Sequence, residues 1–413
     1  MSRRSAHARL TGAVTLVVAA LGCGDGSTSP GSGEDLRTLL HLPPHMSLPA
    51  VPDYNPVTAE KIALGHRLFY DLRLSGNGSQ SCASCHQQRL GFSDGITVPR
   101  GSTGQTLLRN SQGLANAAYF SSLTWGNNVL LELEDQIRVP ILSDNPIELG
   151  VLDGIREEVL QRFDDDSTYR ELFAAAFPDG PPGATVNRIV FALASFCRTL
   201  VSGDSPYDRY YRGDSTALTA QQIRGLRLFN SERLECFHCH SGINLSTSYH
   251  DARTTPGTIT YPFFNNGLYN IGGDGSYPAG NQGIYELTGD PADRGKFRPA
   301  GLRNVALTAP YMHDGSIPDL REVIRHYARG GRLIDSGPFA GDGRLSPLKS
   351  ALVRGFAISE SEIDDVLAFL ESLTDSTFLS DPRFSAPVGP TQGTAEATTD
   401  HRVREPDRGG RVP

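Results

Sequence analysis

Two short runs stand out for their chemistry: Cys82-Ala83-Ser84-Cys85-His86 and Cys236-Phe237-His238-Cys239-His240. Each has the form C-x-x-C-H, the attachment pattern for c-type haem. The two thiols of each run can form thioethers to a porphyrin. The histidine beside the second sulfur can then reach the iron as proximal ligand. A single run of this kind could equally serve a redox dithiol or a zinc site. Two in one chain, each completed by histidine, point to two covalent haem c groups. One is expected on Cys82, Cys85 and His86, the other on Cys236, Cys239 and His240.

What an iron does depends on its other face. A second protein ligand makes an electron carrier, and an open face makes a reactive centre. From Gln87 to Cys236 there is no histidine and no methionine, so the first haem has no usual sixth ligand after its motif. His41, His45 and Met46 precede it in a Pro-rich segment and are expected at the surface. His66, in the helix before the motif, is expected to pack or to point outward. The first iron is therefore expected to be five-coordinate and open to peroxide. Peroxide chemistry needs an acid/base group to carry a proton between the two oxygens. Leu133-Glu134-Asp135-Gln136 offers Glu134, although a glutamate on a helix is by itself more often a solvated surface group.

The elements that must position these groups are helical. The chain has 413 residues, 38% hydrophobic and 20% charged, which suits two or three globular domains. A net charge of −8 gives no basic surface for nucleic acid. The 44 glycines and 27 prolines imply long loops. Gly65-His66-Arg67-Leu68-Phe69 precedes the first haem motif and Gly225-Leu226-Arg227-Leu228-Phe229 the second, with Thr58 and Thr219 as helix N-caps. This repeat predicts two cytochrome-c-like domains, residues 38–202 and 215–380, joined at Ser202-Gly203-Asp204-Ser205-Pro206. Helices are expected at about 57–71, 151–176, 185–200, 219–230, 317–329 and 359–373, with little strand. The predicted fold is mainly α with long loops.

Two cysteines lie outside the motifs. Cys197, in an apolar helical run, reads as a buried free thiol. Cys23 follows Arg3, Arg4, Arg9 and the apolar stretch Leu10 to Leu21, the layout of a signal peptide over residues 1–22. Gly22-Cys23-Gly24 resembles a lipobox, although Ala20 and Leu21 depart from its usual residues. The expectation is an exported, periplasmic protein, lipid-anchored through Cys23 with a tether over 23–37, or else plainly secreted. Residues 381–413, polar and poor in apolar side chains from Thr391 onward, read as a disordered tail.

The sequence resembles the bacterial di-haem cytochrome c peroxidase superfamily, and within it the MauG branch. The resemblance spans roughly residues 40–375. It rests on both C-x-x-C-H motifs, Arg109-Asn110-Ser111, Trp125 with Leu133-Glu134-Asp135-Gln136, the run from Arg198 to Tyr210, and the run from Leu302 to Gly315. The resemblance implies a haem in each domain, a calcium ion between them and a peroxide-reactive open haem. Glu134 falls on the family's distal acid/base. Asn110, Thr308 and Pro310 fall on its calcium ligands, the last two through carbonyls, and oxygen-only ligation suits calcium. The peroxidases carry methionine as sixth ligand of the second haem; here Tyr327 takes that place, as in the MauG branch. The competing reading makes Tyr327 a packing residue, with Met312 or His326 as ligand. No histidine occurs from Thr97 to Leu107, so activity without reductive priming is implied.

Two departures matter. Ala115 holds the place of the family's inter-haem tryptophan, so Trp125 is either the replacement relay or a pocket residue. Leu123 lies near a position that is glutamine in peroxidases. Leu123-Thr124-Trp125-Gly126-Asn127 and Pro146-Ile147-Glu148-Leu149-Gly150 resemble most closely the MbnH-like enzymes, which oxidise a tryptophan of a partner protein to kynurenine. Three functions follow. The first is an H2O2-driven oxidase that forms a high-valent di-haem state and oxidises an aromatic residue of a small exported protein. The second is a detoxifying peroxidase fed by a small cytochrome. The third is a non-enzymatic electron-transfer cytochrome.

Overall fold

The computed structural model describes residues 33–387; the expected signal peptide, Cys23 and everything from residue 388 onward lie outside the described residues. The helices are α1 (Gly33–Leu39), α2 (Ala59–Tyr70), α3 (Cys82–Cys85), α4 (Leu133–Leu142), α5 (Arg156–Asp164), α6 (Ser167–Ala176), α7 (Val186–Thr199), α8 (Pro206–Tyr211), α9 (Ala220–Phe229), α10 (Tyr285–Thr288), α11 (Leu320–Arg329), α12 (Glu360–Glu371) and α13 (Ser376–Ser380). Among the described residues the only paired strands are β1 (Leu333–Ile334) and antiparallel β2 (Gly341–Asp342). The mainly α reading with long loops holds.

The sequence repeat has a packing cause. In the first half α2 crosses α7, and a Cβ on Gly65 would come within 1.9 Å of the Ala192 carbonyl oxygen. In the second half α9 crosses α12, and a Cβ on Gly225 would come within 1.9 Å of the Asp365 carbonyl oxygen. Each repeat thus contributes one glycine that lets two helix backbones touch. Both crossing helices are capped as expected. Thr58 accepts from the Lys61 N–H, and Thr219 accepts from the Gln222 N–H while the Gln222 side chain accepts in return. The first core packs Leu64, Leu68 and Phe69 of α2 against Ile189, Leu193 and Phe196 of α7. The second packs Phe229 of α9 against Val366, Phe369 and Leu370 of α12.

Several expectations need correction. The predicted helix 151–176 is broken into α5 and α6, because Asp166 leaves the helix and caps α6 by accepting from the Thr168 N–H. The tether expected to 37 is already helical from Gly33, and Arg37 ties it down by donating to the Pro43 and Met46 carbonyls at 3.2 and 2.9 Å. Met46 and His45 do not lie at the surface. Met46 is 1% exposed, its sulfur lies against Gly203, and His45 approaches Asp208 at 4.0 Å. The tail does not begin at 381. Phe378 and Phe384 bury in the first core, and the His66 Nε2–H donates to the Ser385 carbonyl at 2.7 Å. The second half therefore ends by wrapping around the first.

The junction at 202–206 is buried. Asn116, Asn244, Asn304 and Asp375 converge on it: Asn116 Nδ2 donates to Ser202 O at 2.9 Å, and Asp375 accepts from the Gly203 and Asp204 N–H groups, each at 2.9 Å. Arg303 reaches across to Asp208 with a bidentate pair at 2.7 and 2.8 Å.

Candidate functional site

Both C-x-x-C-H motifs present their histidines in the same way. His86 Nδ1 lies 2.8 Å from the Phe92 carbonyl oxygen. His240 Nδ1 lies 3.1 Å from the carbonyl oxygens of Leu245 and Ala300. A carbonyl only accepts, so Nδ1 carries the proton in each ring and Nε2 keeps its lone pair. Burial lowers the pKa of both histidines, which keeps them neutral. A fixed tautomer with a free Nε2 is what a metal ligand requires. The paired cysteines are free of disulfides. Burial pushes Cys85 and Cys236 up to about 12 and Cys239 up to about 11. A redox dithiol needs the opposite, a depressed thiol.

A cavity of about 260 Å³ lies beside the second motif, lined by Cys236, Cys239 and His240 together with apolar side chains such as Phe229, Leu302 and Leu370. This lining suits a porphyrin. Tyr327 of α11 lines the same cavity as Cys236 and Cys239. Burial raises its hydroxyl to about 12, partly offset by Asn266, so the phenolate forms there only against a cation. Met312 also lines the cavity, and its sulfur accepts from Asn266 Nδ2 at 3.3 Å. His326 does not line it; this buried ring donates from Nε2 to the Asn266 carbonyl at 3.0 Å.

In the first half Glu134 is 1% exposed, in the first turn of α4. The solvated-glutamate reading fails. Arg198 of α7 grips the carboxylate with two hydrogen bonds at 2.7 and 2.9 Å, and Asn55 Nδ2 donates a third at 2.6 Å. Lys61 in turn donates to Asn55 Oδ1 at 3.0 Å. Burial alone would raise the Glu134 pKa. The Arg198 and Asn55 contacts outweigh it and hold the carboxyl below its ordinary value of 4.5. Leu123 and Leu133 share an apolar cluster with Cys197, which is a buried thiol as expected. A second pocket of about 140 Å³, lined by Leu123, Leu133 and Arg198, opens beside this cluster.

Trp125 lines the cavity of the second motif, which Glu134 does not, and its Nε1–H donates to the Asn110 carbonyl at 2.8 Å. Asn110, Thr308 and Pro310 also line that cavity. The Asn110 amide spends its N–H groups on the Ile96 and Thr97 carbonyls at 2.8 and 3.3 Å, leaving Oδ1 as the atom it can offer a cation. Ala115 touches both sides: it packs in the first core and lines the second cavity. Reading of the sequence left Arg198, Asn55, Lys61 and Gln112 without roles. Arg198 lay in a run noted for its pattern, but its carboxylate partner is 64 positions away.

The mainly helical fold agrees with that of known proteins. The profile of the family described as di-haem cytochrome c peroxidase matches residues 59–216. Cytochrome-c peroxidase IdrP1 of Pseudomonas sp. (strain SCT) is 36% identical over 81% of this chain and 86% of its own. Methylamine utilization protein MauG of Methylorubrum extorquens is 33% identical over 84% of this chain and 87% of its own. The crystal structure of a MauG-like protein associated with microbial copper homeostasis is similar at a TM-score of 0.82, with 48% identity, over 84% of this chain and 98% of that one. The chain belongs to the di-haem cytochrome c peroxidase family. It is an H2O2-dependent di-haem oxidoreductase that carries covalent haem c.

Proposed function

We propose that the chain is a peroxide-driven oxidase that takes electrons from an aromatic residue, in the first instance a tryptophan, of a small exported partner protein. The observation that carries this reading is Tyr327 on the wall of the His240 cavity. When bound, the two haems supply peroxide reduction at one iron and storage of oxidising equivalents across both. His86 and His240 would hold the irons through Nε2, and Tyr327 Oη would be a further ligand to the second. An anionic oxygen ligand favours the ferric state over the ferrous, which makes that haem a poor acceptor from a small cytochrome. Glu134, kept ionised by Arg198, takes a proton from peroxide at its carboxylate and returns it to the departing oxygen. The apolar cluster around Leu123 and Leu133 excludes bulk water from this exchange. Trp125 is the relay on the second haem's wall.

Asn110 Oδ1 with the Thr308 and Pro310 carbonyls would hold Ca2+ between the two haem domains, residues 38–202 and 215–380, the second extended by the segment that wraps back. The chain works in the periplasm, anchored through Cys23. The likeness to a MauG-like protein linked to copper homeostasis supports the protein-oxidising reading; the peroxidase names among the relatives support detoxification fed by a small cytochrome.

Electron paramagnetic resonance of the ferric protein separates the readings. The oxidase predicts one high-spin and one low-spin haem, and loss of both signals on stoichiometric H2O2 without reductant. Two low-spin haems indifferent to peroxide would exclude it. A product mass increase on a tryptophan of the protein encoded beside this one would identify the substrate.

A further inference from the structure

We infer that Arg298 and Gln112 form a carboxylate-binding pair that holds a propionate of the haem attached at Cys236 and Cys239. The inference rests on that haem being held by His240. Among the described residues three arginines are almost wholly buried: Arg198 at 3%, Arg303 at 6% and Arg298 at 3% exposed. Arg198 has Glu134 and Arg303 has Asp208, each through two short hydrogen bonds. Arg298 has no carboxylate among its contacts in the described residues. It donates to the Thr124 carbonyl at 3.0 Å, the Pro299 carbonyl at 3.3 Å and Gln112 Oε1, and lies 4.1 Å over the Phe120 ring. All of these are neutral. A buried charge without a counter-ion is strongly unfavourable. Burial accordingly drags the Arg298 pKa down to about 9.

A second, independent donor converges on the same place. Gln112 uses its oxygen on Arg298, and its Nε2 is buried with no partner. Arg298 and Gln112 both line the cavity with Cys236, Cys239 and His240. The guanidinium has five N–H groups, of which three are used, and the amide has two more. A planar fork of donors beside an amide matches a carboxylate. The haem bound in this cavity brings two carboxylates of its own. A small dissociable carboxylate is the other source of the same chemistry, and the experiment separates them.

The holo-protein is compared with Arg298→Met, Arg298→Lys and Gln112→Leu. Pyridine haemochrome counts haems per chain, and a potentiometric titration follows the low-spin haem. A cation beside a propionate favours ferrous iron, so its removal favours ferric. For Arg298→Met the ferric-to-ferrous equilibrium is expected to shift about tenfold, which is 59 mV to lower potential for one electron. Arg298→Lys and Gln112→Leu should shift the same way by about threefold. Unchanged potentials, within twofold, in variants that keep both haems overturn the inference. If Arg298→Met does not accumulate, Gln112→Leu decides alone: a lowered potential upholds the pair and an unchanged one overturns it. A wild-type potential that moves with added acetate at fixed ionic strength also overturns it, since the carboxylate would then be dissociable. One haem per chain in the wild type would instead remove the di-haem reading on which the inference rests.

Discussion

The two halves of the molecule solve one problem alike and another differently. Each fixes a histidine by tying Nδ1 to backbone carbonyls, at 2.8 Å for His86 and 3.1 Å for His240. Each builds the supporting helix crossing on one glycine. They part in what else they bring to the motif. The first half supplies a buried carboxylate locked to an arginine. The second supplies a neutral tyrosine in a mostly apolar cavity. A carboxylate can move protons, and a tyrosine that ionises only against a cation can anchor one. The duplicated frame holds two haems, and the side chains outside it divide the labour.

The sharpest way to break this contrast is to remove the proton carrier. Glu134→Gln keeps the shape and the hydrogen-bonding oxygen but cannot accept a proton from peroxide. Loss of general acid/base catalysis typically costs about 10²- to 10⁴-fold. Stopped-flow mixing of the ferric variant with H2O2, with both haems confirmed, should show a rate reduced on that scale. A rate within threefold of the wild type would make Glu134 a structural residue only.

The second test asks how much the ion pair contributes to folding. Removing one partner of a buried pair costs about 3–5 kcal/mol. Arg198→Met should lose stability on that scale at pH 7 in urea unfolding. Its pH dependence should also reverse. In the wild type the folded Glu134 pKa lies below its ordinary value of 4.5, so the stabilisation is present at neutral pH and fades as pH falls through that range. Without Arg198, burial is opposed only by Asn55 and the helix backbone, and the folded pKa rises above the unfolded one. The variant should then gain stability as pH falls toward 5, relative to wild type. Parallel pH profiles would mean that Arg198 does not set the charge of Glu134.

The third test is on the other half. Tyr327→Met should convert the second haem toward the peroxidase type, keeping it low-spin but raising its potential. Axial ligands tune haem potentials over about 0.8 V, and a shift on the order of 0.1 V upward is expected. An unchanged low-spin spectrum and potential would remove Tyr327 as ligand and return the choice to Met312.

The contrast between local and distant information also explains what could be read in the chain. The haem motifs, the paired glycines and the Thr58 and Thr219 caps are contiguous patterns, and each is where it was expected. Glu134 was found, but its partner was not, because nothing local marks Arg198 as the group facing it. Met46 looked exposed in a Pro-rich segment, yet the segment folds back onto Gly203. Phe378 and Phe384 looked like the end of one domain and the start of a tail, yet they complete the core of the other half, packing on Phe92 at 5.5 and 6.4 Å between ring centres. Burial made by distant chain segments leaves no periodic trace. The break between α5 and α6 was different, since Asp164-Asp165-Asp166 before Ser167 is a readable N-cap signal.

The smallest effect tests the repeat itself. Thr58 and Thr219 occupy matching places ahead of α2 and α9, and each hydroxyl accepts an N–H at 3.2 Å. Only Thr219 is part of a reciprocal cap, in which Gln222 Oε1 accepts from the Thr219 N–H at 2.9 Å. Replacing a threonine cap by alanine costs about 1 kcal/mol. Thr58→Ala removes one hydrogen bond. Thr219→Ala removes the same bond and loosens the return contact, because the Gln222 side chain loses the local turn that orients it. Thr219→Ala should therefore cost more than Thr58→Ala by a few tenths of a kcal/mol. Equal losses in urea unfolding would show that the return contact from Gln222 adds nothing. A larger loss for Thr58→Ala would point instead to Lys61, the N3 residue of α2, whose ammonium supports Asn55 and through it Glu134. In that case the cap of the first half would serve the proton site, and the two halves would differ even in an element they share.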